Sequence, residues 1–341
     1  LARMEEVAAV QLENPFHFSF KATQPAGNPM LNLDDVGLGY GTDTGVRILF
    51  GFENRLINKY GHNYQFESLL GERTQNAHFN YRLPGKRPAL QSWNIGLGFK
   101  ATQSDTLKRS KSTVNADYHY QIDPLWLINP FISLETESFR YVDEPSETTQ
   151  NLLVGVNVKS RWVNNESYPT SGYRHNGSLR ASIDNVMSNT QFAQIELGSR
   201  GVFSPIEFWR LHARVQGVLT TAEKDQIIPA SYLSLLGGEN LRGYEFESIG
   251  LEGTDGSIVG ARDMVSASIE TDYRVSEYLG FGLFIDAGQV FDNETSSELK
   301  IGTGLGLRGY TPVGMAKLDI AWPASEDEQP WRIHFSLGFD L

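Results

Sequence analysis

From about Leu33 onward, apolar and polar residues alternate one by one along successive short segments. Strand side chains point to opposite faces in turn, so each such segment builds one apolar and one polar face. Over 264–275, Val265, Ala267, Ile269, Thr271 and Tyr273 share one face, and Ser266, Ser268, Glu270, Asp272 and Arg274 share the other. The stretches 299–307 and 316–322 repeat the pattern, as does the last, about 331–341, where Ile333, Phe335, Leu337, Phe339 and Leu341 alternate with Arg332, His334, Ser336, Gly338 and Asp340. One side of each segment suits hydrocarbon and the other suits water.

Roughly sixteen such segments lie between Leu33 and Leu341, each taking about nineteen residues with its connector, the spacing of an up-and-down transmembrane barrel. No stretch approaches the roughly 18 to 20 uninterrupted apolar residues of a membrane helix, and mean hydropathy is −0.33. A closed barrel needs no such run, because its backbone is satisfied between strands. The expected fold is therefore all-β, a sixteen-stranded antiparallel transmembrane β-barrel. Tight turns are expected at Lys59-Tyr60-Gly61-His62 and Thr311-Pro312-Val313-Gly314, and longer polar loops at 104–112, 142–148, 324–330 and above all 220–262. Short turns on one rim and long loops on the other suit periplasmic and extracellular ends, and Trp162, Trp209, Trp322 and Trp331 suit interface girdles. The competing architecture is a soluble β-sandwich with buried tryptophans, but sandwiches rarely need sixteen strands.

Residues 1–28 read differently. A helical turn or two over 3–12 and a strand over 16–23 precede the breaker Gln24-Pro25-Ala26-Gly27-Asn28. This is expected to be the tail of a small preceding domain, with 29–341 as the barrel. With no basic-then-apolar leader, the chain reads as a mature or cropped product.

The chain has no cysteine, so disulfides and thiolate metal sites are excluded. A net charge of −12 and pI of about 5.1 argue against nucleic acid as partner. The longest basic cluster, Lys108-Arg109-Ser110-Lys111, reads as a polar loop tip. Gly304-Leu305-Gly306-Leu307-Arg308-Gly309 matches the dinucleotide fingerprint, but Tyr310-Thr311-Pro312 follows it where a helix should open. Glycines on the polar face of a strand instead leave room for something to pass close by. The seven histidines form no HExxH motif or close pair, and no Gly-x-Ser-x-Gly elbow occurs, so neither metal nor cofactor is expected and no catalytic residue is assigned. A hydrolase whose Ser, His and Asp converge from distant strands stays open at this stage.

Arg242 falls in the longest loop, while Glu270 and Asp286 fall on polar strand faces. A guanidinium fork binds carboxylates bidentately, so the loop can fold back and be pinned to the wall. Gly237, Gly238 and Gly243 would allow sharp turns and close approach, with Tyr244 beside the strand carrying Phe284. The plain alternative is a solvated loop arginine, which spacing alone favours.

The stretch GGENLRGY (237–244), followed by FIDAG (284–288), resembles the paired signature of the outer-membrane-protein assembly superfamily, whose members include BamA, TamA and the two-partner secretion transporters. VGLGYGTDTGVR (36–47), NKYGH (58–62), YPTSGYR (168–174), GTGLGLRGYTPVGMAKLDIAWP (302–323) and the terminal SLGFDL are similar to stretches of that superfamily, mostly of its TamA-type barrels. The resemblance spans 36–341; the amino-terminal POTRA domains are missing, apart from a possible remnant or linker in 1–28. It implies an inward-folded sixth extracellular loop whose tip, Arg242-Gly243-Tyr244 with Gly237 and Gly238, contacts Asp286 in the strand of Phe284 and Gly288, with Glu270 as a second acidic partner. It further implies insertion or translocation of β-barrel proteins and autotransporters at the bacterial outer membrane. The partners would be the lipid bilayer, client proteins and a TamB-like periplasmic protein.

Barrel closure would pair the first strand, about 33–41, with the last. Gly37, Gly39 and Gly41 give the first strand little packing, and Gly338 interrupts the last, beyond Ile333, Phe335 and Leu337. Such a seam can open laterally, and an open strand edge is a template for a client strand. The rival readings are a two-partner-secretion-type pore and a passive porin.

Overall fold

The computed structural model describes residues 16–18, 32–41, 45–54, 56–142, 144–165, 168–183, 187–222, 226–253, 257–311, 314–326 and 330–338. The first half of the chain supplies β1 (Phe16–Phe18), β2 (Asn32–Gly41), β3 (Gly45–Asn54), β4 (Asn63–Gly71), β5 (Thr74–Pro84), β6 (Gln91–Gln103), β7 (Leu107–Gln121), β8 (Trp126–Tyr141) and β9 (Glu147–Val163). The second half supplies β10 (Ser171–Ser182), β11 (Phe192–Ile206), β12 (Trp209–Ala222), β13 (Leu251–Glu252), β14 (Ile258–Val259), β15 (Asp263–Arg274), β16 (Leu279–Phe291), β17 (Lys300–Thr311), β18 (Gly314–Pro323) and β19 (Arg332–Gly338). Apart from the small β13–β14 ribbon, all belong to one 17-stranded sheet, in which registered neighbours are antiparallel and follow chain order.

The count exceeds the expected sixteen by β1. Phe16, His17 and Phe18 stand opposite Leu38, Gly37 and Val36 on the free edge of β2. An unpaired strand edge presents a row of open N–H and C=O groups, and a short extended segment satisfies them. The stretch expected to belong to a separate preceding domain thus contributes a strand to the sheet, while the helical turn expected over 3–12 lies outside the described residues. Closure also differs from expectation. β19 is in register with β18 and β2 with β3, but among the described residues no register joins β19 to β2.

The sheet is inverted relative to a water-soluble protein. Along β15, Met264, Ser266, Ser268, Glu270 and Asp272 are buried while Val265, Ile269 and Tyr273 face outward. Along β16, Phe284, Asp286 and Val290 are buried while Phe281, Leu283 and Ile285 are exposed. Ile269 is 61% exposed and Asp286 0%. All six tryptophans are at least 40% exposed, which disposes of a sandwich with tryptophans in its core. A continuous outer wall of large apolar side chains around a polar interior is stable only against hydrocarbon.

Two expectations about the connectors fail. Residues 107–112 are strand, so Lys108-Arg109-Ser110-Lys111 lies within β7 and is no loop tip. The rims are also less distinct than expected, since residues 72–73 and 207–208 make equally brief connections at opposite ends. What separates the ends is the segment between β12 and β15, residues 223–262.

Candidate functional site

The segment between β12 and β15 lies against the polar face of the sheet. Its Leu236, Leu241, Tyr244, Ile249, Leu251 and Ala261 would be stranded in water if it were extended. They form a core with Val218, Met264 and Val290 of the wall. A short 3-10 helix, Ala230–Tyr232, is fixed from the opposite wall: the Ser231 amide donates to Glu137 Oε1 at 2.9 Å and the Tyr232 hydroxyl to Glu135 Oε2 at 2.6 Å. Burial, with the neighbouring Glu135 carboxylate, pushes the Tyr232 phenol well above its usual range and keeps it a donor. Arg109 reaches Glu247 at 2.8 Å. Strands as far apart as β7, β8, β15 and β16 therefore hold one segment, so the sheet curves around it.

The segment's tip reverses sharply. Leu236 and Ile249 exchange backbone hydrogen bonds at 2.9 Å, and the Gly237 amide donates to Asn240 Oδ1 at 2.8 Å. Gly237 and Gly243 adopt φ of +119° and +97°, a region that side chains other than glycine's disfavour. A β-carbon at Gly243 would also lie 2.9 Å from the Trp322 carbonyl. From the wall, Gly302 leaves the corresponding room: its own β-carbon would overlap the carbonyl oxygen of Arg242.

This approach carries Arg242 into an acidic cup. Its Nε and Nη2 donate to Asp286 Oδ2 and Oδ1 at 2.8 and 2.9 Å, a bidentate fork. Nη1 donates to Glu270 Oε2 and Asp319 Oδ2, both at 2.9 Å, and the Arg242 amide donates to Asp286 Oδ2 at 3.1 Å. The guanidinium carbon sits 3.4 Å from the centre of the Phe284 ring, stacked on its face. Burial works against the charge. The hydrogen bond to Asp286 and the charges of Asp286, Glu270 and Asp319 outweigh it, raising the Arg242 pKa further above its ordinary value. Tyr244 is buried, with its hydroxyl 2.6 Å from Ser325 Oγ. Gly288 faces Leu236, while Gly238 lies against Phe246.

A second tier of charges lies beneath this one. Arg308, fully buried, donates to Asp272 Oδ1 at 2.9 Å, Asp319 Oδ1 at 2.5 Å and Glu270 Oε1 at 3.1 Å. Lys317 reaches Glu270 Oε1 at 2.9 Å, and Arg210 reaches Asp272 Oδ2 at 3.1 Å. Arg210 also donates to the Pro169 carbonyl at 3.3 Å and stacks 4.2 Å from the Tyr168 ring. Four carboxylates are thus met by Arg242, Arg308, Arg210 and Lys317, which offsets the large cost of burying any of them alone. Sequence reasoning set Arg308, Lys317, Asp272 and Asp319 on polar faces by alternation but assigned them no partners. Arg210 had no such signal beyond its alternation with Trp209 and Leu211.

No register among the described residues joins the two groups of seam residues. Gly37, Gly39 and Gly41 stand opposite Leu49, Arg47 and Gly45 of β3. Ile333, Phe335, Leu337 and Gly338 stand opposite Ile320, Leu318, Ala316 and Met315 of β18.

An antiparallel sheet with an apolar outside, a charged inside and a segment folded into it defines an outer-membrane β-barrel. Residues 14–341 match the Omp85 superfamily domain, and the chain belongs to that superfamily. It is a protein of the bacterial outer membrane. The fold is similar to the crystal structure of BamA from Haemophilus ducreyi lacking POTRA domains 1-3, with TM-score 0.79 and 15% identity over 98% of this chain and 77% of that one. It is also similar to CdiB from Escherichia coli, with TM-score 0.58 and 8% identity over 88% of this chain and 61% of that one. A separate 46% identity to the probable ATP-binding protein YheS of Escherichia coli K12 covers 41 residues, 12% of this chain and 6% of that protein, too little to carry a function.

Proposed function

We propose that this chain is the barrel of a TamA-type translocation and assembly subunit, in which β2 to β12 and β15 to β19 are the sixteen barrel strands. The segment between β12 and β15 is then the sixth extracellular loop, and Arg242 on Asp286, Glu270 and Asp319 is a latch that holds it in the lumen. Client β-barrel proteins or autotransporters add strands at the edge of β2 or β19 and leave laterally into the bilayer, without covalent chemistry. Residues 1–28 are the remnant of a POTRA domain or a linker, and the pairing of β1 with β2 favours the linker. A TamB-like periplasmic protein is the further partner this reading assigns.

The observation that carries the reading is the seam. β18 and β19 are registered from Met315–Gly338 to Ala321–Arg332, whereas β19 and β2 share no register among the described residues. β1 covers only Val36–Leu38 of the β2 edge, and a strand edge with so short a partner can exchange it for a strand from another chain. Since the chain has no cysteine, Tyr40→Cys with Ile333→Cys gives a lock free of competing thiols. The oxidised double variant should stop client insertion and the reduced one restore it; insertion by the locked protein would refute lateral release.

The CdiB likeness favours a second reading, a two-partner-secretion-type pore. The same lock separates the two, because a substrate crossing the lumen would still be exported when the seam is closed. A passive porin is distinguished by solute conductance that persists, or grows, when Arg242 is removed.

A further inference from the structure

The apolar outer wall ends in a cationic step. On the outward faces of β6, β7 and β8, Leu97, Val114 and Ile132 belong to the hydrocarbon-facing band. Further along the same faces, toward the end that carries the segment 223–262, Phe99 gives way to a row of small residues. Ala101 stands opposite Ser110, and Ser110 opposite Ser138. The next outward row is large and charged: Gln103 is opposite Lys108, and Lys108 opposite Arg140. Glu72 and Arg73 close the side, with Arg73 paired to Asp105 at 3.0 Å. The small residues beneath the large ones leave a recess of about 360 Å³.

Lys108 and Arg140 are exposed, point away from the lumen and carry no ion pair among the described residues. Like charges directly opposite on neighbouring strands repel, with β-carbons roughly 4.5–5.5 Å apart. In a chain with a net charge of −12, an uncompensated cation pair on the outer wall stands out. Its height is also informative. Phe99 and Gln103 are separated by about 13 Å along the strand, or about 10 Å along the membrane normal at a tilt of roughly 40°. Charges at that level meet lipid headgroups while Phe99 and Leu97 meet acyl chains.

We infer that Lys108 and Arg140, above the Ala101–Ser110–Ser138 recess, bind the phosphate of a phosphorylated outer-leaflet lipid whose acyl chains run down the Phe99–Leu97 wall. The phosphate relieves the repulsion between the two cations, and Arg140 offers it a fork while Lys108 offers a point charge. Gln103, Ser110 and Ser138 supply further polar contacts. The inference rests on the reading that this rim faces outward from the cell.

Two measurements separate the inference from that reading. In intact cells, Glu144→Cys on the β8–β9 connection should react with an impermeant maleimide. Protein purified in mild detergent should bind diphosphoryl lipid A, bind its dephosphorylated form more weakly, and lose about tenfold or more in affinity in Lys108→Gln/Arg140→Gln. Unchanged heat-modifiable mobility of the double variant shows that the barrel stays folded. Surface labelling together with unchanged lipid affinity in the variant overturns the lipid site and leaves the orientation standing. Absence of labelling overturns the orientation and the lipid site with it. Displacement of the lipid by an equal concentration of inorganic phosphate also overturns the lipid site, since it would make the pair a free-anion site.

Discussion

Replacing Arg242 with alanine tests the latch, and the structure sets the size of the effect. Glu270 would keep Arg308 at 3.1 Å and Lys317 at 2.9 Å, and Asp319 would keep Arg308. Asp286 alone is stranded, with 0% exposure, the Ser268 hydroxyl at 2.6 Å and the residue-242 amide at 3.1 Å. The loss is therefore close to that of one buried pair broken from one side, roughly 3–5 kcal/mol, and not three times that. Removing the stranded charge as well should recover part of it, so Arg242→Ala/Asp286→Asn should be less destabilised than the sum of its single variants by about 2 kcal/mol. Urea unfolding in phospholipid vesicles, followed by tryptophan fluorescence and heat-modifiable gel mobility, measures both numbers. Single-variant costs that add to within about 0.5 kcal/mol would show that Asp286 does not depend on Arg242, and the latch argument would fall.

Other perturbations separate shape from charge. Gly302→Ala should push the Arg242 backbone off the wall, costing about 1–3 kcal/mol and raising protease cleavage within 226–262, while Gly309→Ala, which meets nothing closer than 3.6 Å, should change little. Arg308→Ala should cost at least about 3 kcal/mol in the same urea assay, with Arg308→Lys recovering only part, because a point charge cannot span Asp272, Asp319 and Glu270 together. Ile269→Lys, on the outward face, should destabilise the protein in lipid by roughly 2–4 kcal/mol, and a lumen-facing Gln216→Lys by clearly less.

The alternation of residues determined which side of nearly every strand faces lipid, because a transmembrane strand must be apolar outward over the thickness of the hydrocarbon. It also put Glu270 and Asp286 on polar faces, but spacing alone favoured a solvated Arg242, and only the likeness of GGENLRGY and FIDAG to a known family put the three forward as partners. The same reasoning explains the misreading of 107–112. Strands such as β7, β8 and β9 run well past the roughly 9–11 residues needed to span a bilayer, and beyond the hydrocarbon their outward faces become polar, so the stretch around Lys108 looks like loop. Only the tertiary structure decided the rest. Asp319, Arg308, Lys317, Asp272 and Arg210 come from strands distant in sequence, and a period of two specifies a face without specifying who stands across the lumen. The placement of β1 on the edge of β2 likewise depends on which edge groups find partners when the sheet curves, and that is a property of the whole sheet, carried by no single segment.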